Sequence, residues 1–234
     1  MASRPEPLPA LQGNWLERLE ADAGSVAFVA LPLGAREPRP VLVATHGSRD
    51  RAEWACGGWR LAVRAHAFVL CPQGSPVSGN LYGWASAAAL KAAVERALVA
   101  LQRRFGAHVA EGTPVYAGFS QGAILAPPLL LESGTQFATA VFAEGGYASL
   151  ENAAFARNYY RNGGRNLLIA CGTAACFSRA SHARPVLERA GLRVAVGGDA
   201  TAGHNLNEPM QAALRKTFSE LLRDDPRWHL AQWR

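Results

Sequence analysis

The chain has 234 residues, 49% hydrophobic and 18% charged, which is enough for one full core without staples; no apolar run approaches the ~20 residues of a membrane helix. Its formal charge of +6 is almost wholly arginine, Lys91 and Lys216 being the only lysines, and is spread along the chain. Arg103-Arg104 is the only arginine pair and no basic patch is interleaved with aromatics, which excludes nucleic acid as a partner.

Residues 1–24, with Pro5, Pro7 and Pro9, read as a loosely held lead-in containing a short helix over 14–19, and residues 25–234 as a single domain. That N-terminus lacks the pattern of a signal peptide, which leaves the compartment open: cytoplasmic, or periplasmic or secreted if such a peptide has been removed. Residues 25–33 are strand-like. Pro38 and Pro40 interrupt the chain before residues 41–45, a continuous apolar run of the buried-strand kind that ends in His46-Gly47-Ser48. Residues 54–66 predict a helix broken at Gly57-Gly58, residues 67–71 the next buried strand, and residues 72–83 a polar, glycine-bearing loop. The clearest helix spans 84–105, where Leu90, Val94, Ala97, Leu98 and Leu101 share one face.

Residues 114–119 are β-branched and aromatic and run into Gly118-Phe119-Ser120-Gln121-Gly122, after which helical spacing resumes to about residue 132, interrupted by Pro127-Pro128. Strand, sharp turn and helix around Gly-x-Ser-x-Gly is the pattern of a nucleophile elbow. Further strands are expected over 137–142, 166–170 and 192–196, with helices within 148–165 and over 183–190 and 208–223. This alternation predicts an α/β fold, a mostly parallel, doubly wound sheet with helices on both faces and no large cap.

A serine hydroxyl needs a base, and His204, after the last strand, follows Ser120 in the order this fold uses. His182 and His229 are worse placed. His46 precedes the elbow, and a loop-shaping histidine suits it better than a base. Cys56, Cys71, Cys171 and Cys176 have no zinc-ligand spacing, so no metal site is expected; proximity pairs Cys56 with Cys71 and Cys171 with Cys176 if the compartment is oxidising, with free buried thiols as the alternative.

Gly118-Phe119-Ser120-Gln121-Gly122, together with His46-Gly47, Gly83-Trp84, Gly146-Tyr147 and Gly203-His204, resembles the α/β-hydrolase fold in its carboxylesterase and acyl-protein thioesterase branch over about residues 25–222. The resemblance implies Ser120 as nucleophile, His204 as base, the backbone N–H groups of Gln121 and Ser48 as oxyanion hole, and cleavage of small-molecule esters or thioesters without a cofactor. In one place the chain departs from that pattern: where the family carries Gly-Thr-x-Asp, this sequence has Gly172-Thr173-Ala174-Ala175, so the aspartate that orients the histidine is Ala175. Between Ser120 and His204 the acidic residues are Glu132, Glu144, Glu151, Glu188 and Asp199. Glu144, at the carboxyl end of the strand beside the elbow strand, is preferred, and Asp199 comes second. The rival reading is a weak or inactive hydrolase-fold binding protein, and a third is an acyltransferase or peptidase using the same residues. Trp54, Trp59, Tyr82 and Trp84 suggest an apolar or aromatic acyl pocket, and no feature of the sequence fixes the oligomeric state.

Overall fold

The computed structural model describes residues 6–228. Eight strands form the central sheet: β1 (Leu16–Glu20), β2 (Val26–Ala30), β3 (Val41–Thr45), β4 (Phe68–Pro72), β7 (Val115–Phe119), β8 (Thr139–Ala143), β9 (Asn166–Cys171) and β10 (Arg193–Gly198), in the order β1-β2-β4-β3-β7-β8-β9-β10. From β4 to β10 every pairing is parallel, and β2 pairs antiparallel with both β1 and β4. The inner parallel strands β3, β4, β7, β8 and β9 are buried at all but Phe119 and Asn166 and alternate between two cores. Tyr116, Phe142 and Ile169 face one, with α2 (Ala87–Phe105), α4 (Pro127–Glu132) and α7 (Ala174–Arg189); Ala117, Val141 and Leu168 face the other, with α1 (Ala52–Ala62) and α8 (Glu208–Leu221). A strand buried on both faces needs apolar residues at every position, which is why these read as unbroken runs.

Four expectations are corrected. Residues 14–19 are not helical: Leu16 and Leu19 are three apart and mimic a helix face, but β1 pairs from Leu16↔Ala30 to Glu20↔Val26, so the lead-in contributes the edge of the sheet. α1 runs straight through Gly57-Gly58, and the glycine at 58 serves close packing rather than a break, since a Cβ there would lie 2.7 Å from Leu206. The loop over 72–83 contains a hairpin, β5 (Ser75–Ser78) with β6 (Leu81–Gly83). α7 starts at Ala174, nine residues earlier than expected, since the Thr173 side chain caps it by accepting from the Cys176 N–H. Its buried face, Cys176, Ala180, Ala183 and Leu187, begins with small residues, so the cap is the plainest mark of the start. Two short helices, α5 (Tyr147–Leu150) and α6 (Ala153–Arg161), fill the excursion after β8, and α3 (Gln121–Ile124) is separated from α4 where the proline pair was expected to interrupt.

Both proximal cysteine pairs are bonded: Cys56–Cys71 ties α1 to β4 under one face of the sheet, and Cys171–Cys176 ties the end of β9 to the first turn of α7 on the other. Replacing Cys56 and Cys71 together by alanine is expected to lower unfolding free energy by about 3 kcal/mol, the entropy of a 15-residue closure, as read from denaturant melts. Alkylation without reductant should leave the intact mass unchanged.

Candidate active site

The elbow is built by close approach. Ser120 sits at φ 50, ψ −113, a positive-φ conformation outside the left-handed helical well that a non-glycine residue adopts only when its surroundings hold it there. Its N–H donates to Ala143 O at 2.8 Å, which extends the β7–β8 ladder by one residue. A Cβ on Gly118 would lie 2.7 Å from Ala123 N, and one on Gly122 2.5 Å from Thr45 Oγ1, so both flanking positions are confined to glycine. Beneath the turn, the fully buried Tyr116 hydroxyl donates to Gly122 O at 2.8 Å and lies 2.6 Å from Thr45 Oγ1; burial pushes its phenol up, which keeps this donor in place.

β8 is followed directly by Glu144, which also has a positive φ of 49 and whose N–H donates to Ala170 O at 3.0 Å. The side chain is 4% exposed and crosses to the end of β9. There Oε1 accepts from Gly172 N–H at 2.5 Å and Thr173 N–H at 2.9 Å, and the Thr173 hydroxyl lies 3.2 Å from each carboxylate oxygen. Oε2 stands 3.4 Å from His204 Nδ1. The loop carrying His204 is fastened to the same turn by Gly203 N–H donating to Gly172 O at 2.8 Å, and the imidazole leans over Phe119 with ring centroids 5.0 Å apart. Its side chain is 55% exposed, and the Ser120 hydroxyl forms no hydrogen bond to it in this structure. Asp199 makes no ion pair with His204 among the described residues. Its carboxylate accepts from the Thr201 N–H at 2.8 Å and hydroxyl at 2.6 Å, which hold it below the usual carboxylate range. Glu151 and Glu188 pair with Arg179 and Arg184. Tyr147 lies close enough to Glu144 that burial and that negative charge push its phenol up to about 12. His182 is exposed on α7, and His229 lies outside the described residues.

The opposite rim is held by His46, which is buried and uses both nitrogens: Nδ1 donates to its own neighbour Gly47 O at 2.7 Å, and Nε2 accepts from Gly74 N–H at 3.1 Å. Trp84 stacks on the ring at 4.8 Å and donates its indole N–H to His46 O at 2.9 Å. Desolvation lowers the His46 pKa. A neutral, fully committed imidazole is a strut between loops and has no free nitrogen for base catalysis. The Gln121 side chain clamps the same rim, accepting from Trp84 N–H and donating to Trp84 O, both at 3.0 Å. Among the described residues the backbone N–H groups of Gln121 and Ser48 donate to no other group. Ser48 lies beside this turn, since a Cβ on Gly83 would be 3.2 Å from Gln121 Oε1 and 3.8 Å from Ser48 Oγ, while one on Gly47 would be 3.3 Å from the Ser120 Cβ.

A cavity of about 300 Å³ lies between Trp54, Trp59, Phe119 and Leu206, adjoining the elbow through Phe119 and the His204 loop through Leu206. Tyr82 and Trp84 line a different crevice of about 540 Å³ with Gln73 and Gly74, so only two of the four expected aromatics share the first cavity. No cluster of metal-ligating side chains occurs among the described residues.

No family model and no curated protein sequence matches the chain. Solved structures do match. A carboxylesterase from Mesorhizobium loti superposes with a TM-score of 0.59 at 17% identity, over 86% of this chain and 97% of that one. The Pyrococcus furiosus esterase Pf2001 gives 0.59 at 10% identity, over 95% and 99%. The chain has an α/β-hydrolase fold. An acylaminoacyl peptidase from Pyrococcus horikoshii shares it as well, with a TM-score of 0.61 at 14% identity over 92% of this chain and 42% of the peptidase. The α/β-hydrolase sheet accounts for the placement of the expected residues: Ser120, Glu144 and the Gly172 turn follow three adjacent parallel strands at their carboxyl ends.

His66 is the second histidine that burial holds neutral; its Nδ1 accepts from Arg39 Nη1 at 3.1 Å and its Nε2 donates to Arg227 O at 2.9 Å. Both folded pKa values lie below the ordinary value of about 6.5, so as the pH falls the unfolded chain takes up these protons first. The stabilisation is complete above about pH 6.5 and is lost as the pH falls toward the folded values. Thermal unfolding should therefore move to lower temperature between about pH 7 and pH 5. A flat profile over that window would contradict the assignment.

Proposed function

We propose that this chain is a serine hydrolase that cleaves carboxylic esters or thioesters through an acyl-enzyme on Ser120. The observation that carries the reading is the 3.4 Å approach of the buried Glu144 carboxylate to His204 Nδ1, beside a serine on a strained elbow. A carboxylate on Nδ1 fixes the tautomer whose other nitrogen, Nε2, is free to accept a proton. His204 Nε2 takes the hydroxyl proton as Ser120 Oγ attacks the carbonyl, and the tetrahedral oxyanion is met by the N–H groups of Gln121 and Ser48. The imidazolium then protonates the departing alcohol or thiol, and water repeats the sequence to release the acid. The serine–histidine hydrogen bond forms when substrate settles over the elbow and the exposed imidazole turns toward it, as catalytic hydrogen bonds tighten in the Michaelis complex. The cavity at Trp54 and Trp59 takes the apolar or aromatic acyl group. An imidazole open to solvent favours water as acceptor over a second alcohol or amine, which places hydrolysis ahead of acyl transfer.

The alternative is a binding protein that has lost turnover, and what favours it is the absence of a Ser120–His204 hydrogen bond together with Ala175 at the family's acid position. A fluorophosphonate probe separates the two. The hydrolase forms a single adduct on Ser120 that Ser120→Ala abolishes; a native chain that stays unlabelled at high probe concentration is the binding protein.

Turnover of a short-chain p-nitrophenyl ester should fall by on the order of 10²- to 10⁴-fold in Glu144→Gln, with folding intact, and change little in Asp199→Asn. Near-native turnover in Glu144→Gln would remove Glu144 from the triad.

A further inference from the structure

The Glu144 carboxylate is held by a very short piece of chain. Apart from His204, each of its partners belongs to Gly172 or Thr173: two backbone N–H groups and one hydroxyl. Those two residues lie inside the ring closed by the Cys171–Cys176 disulfide, which spans a sequence separation of 5. Cys171 ends β9 and Cys176 sits in the first turn of α7, both almost wholly buried, so the bridge fixes where the strand stops and the helix starts. The Thr173 hydroxyl faces both ways, donating toward the carboxylate and accepting from Cys176 N–H at 3.2 Å as the cap of α7. Gly172 joins the two halves of the pair, since its N–H meets Glu144 while its C=O receives the Gly203 N–H beside His204.

Free rotation of the carboxylate would leave the 3.4 Å approach to His204 Nδ1 to chance. The partners from Gly172 and Thr173 remove that freedom by meeting Oε1 from three directions, and the Thr173 hydroxyl, 3.2 Å from Oε2 as well, holds that oxygen where it faces the imidazole. We propose that Thr173 and the Cys171–Cys176 ring are positioning residues that set the Glu144–His204 register, replacing the local anchor that an aspartate at position 175 would have supplied from within the same turn. The proposal rests on Glu144 being the orienting acid.

The test is a double-mutant cycle on ester turnover. In Thr173→Val the carboxylate loses a hydroxyl partner, and hydrogen bonds to charged groups are strong enough that kcat should fall about tenfold with KM unchanged. Thr173→Ser, which keeps the hydroxyl, should restore it to within about threefold. Combined with Glu144→Gln, Thr173→Val should lower kcat no further, because residues that act through one another are non-additive. Cys171→Ala with Cys176→Ala should behave as Thr173→Val does, whereas the Cys56 and Cys71 double replacement should cost stability and leave kcat alone. If Glu144→Gln is fully active, the acid assignment itself fails. If Glu144→Gln is impaired while Thr173→Val is native, or lowers kcat equally with and without Glu144, the acid stands and the positioning role is overturned.

Discussion

A carboxylate shut away from water must be met by donors, and much of the carboxyl edge of this sheet is arranged around that requirement at Glu144. Its nearest donors are not on its own strand. They are the first free N–H groups beyond β9, left over where a parallel ladder gives way to a helix. Meeting them obliges the Glu144 backbone to take a positive φ, with Gly145 packed against the Ser120 carbonyl so closely that a Cβ there would lie 2.6 Å from it. Two successive strands thus end in strained residues, Ser120 and Glu144, each held by a neighbour's hydrogen bond rather than by its own preference.

The other side of the site obeys a similar rule with a neutral group. His46 stands at the end of β3 with a donor and an acceptor nitrogen, and the fold uses both to join loops that follow β3 and β4. Protonation would replace the acceptor by a second donor facing Gly74 N–H, so burial and hydrogen bonding both oppose it. One rim is held by an anion that wants donors and the other by a heterocycle that must stay uncharged.

The sheet and the elbow were legible in the sequence because their constraints are local: buried strands are apolar at nearly every position, and crowding at the turn excludes any residue but glycine two positions to either side of Ser120. Leu16-Glu17-Arg18-Leu19-Glu20 was misread because a half-exposed edge strand of five residues carries too little period to separate 2.0 from 3.6. Glu144 was reached by elimination and by its place at a strand end. Its anchoring by Gly172 and Thr173, 28 and 29 residues downstream, is a contact across strands and leaves no spacing to read. The Gly172-Thr173 pair was the available clue, since the resemblance sets it beside the missing aspartate and its backbone donors can bind a carboxylate from another strand.

The exposure of His204 bears on how molecules come and go. Among the described residues no cap covers the elbow, so under the proposed function arrival of a substrate would require no gate to swing and departure of a product no seal to break. Selection then falls on the rim, where Trp54, 58% exposed and with the Arg51 guanidinium 5.5 Å over its ring, is among the first surfaces a visitor meets. On the proposed hydrolase reading, a doorway of this kind would sort by adhesion rather than by size, retaining flat apolar groups long enough for the chemistry and releasing others unchanged.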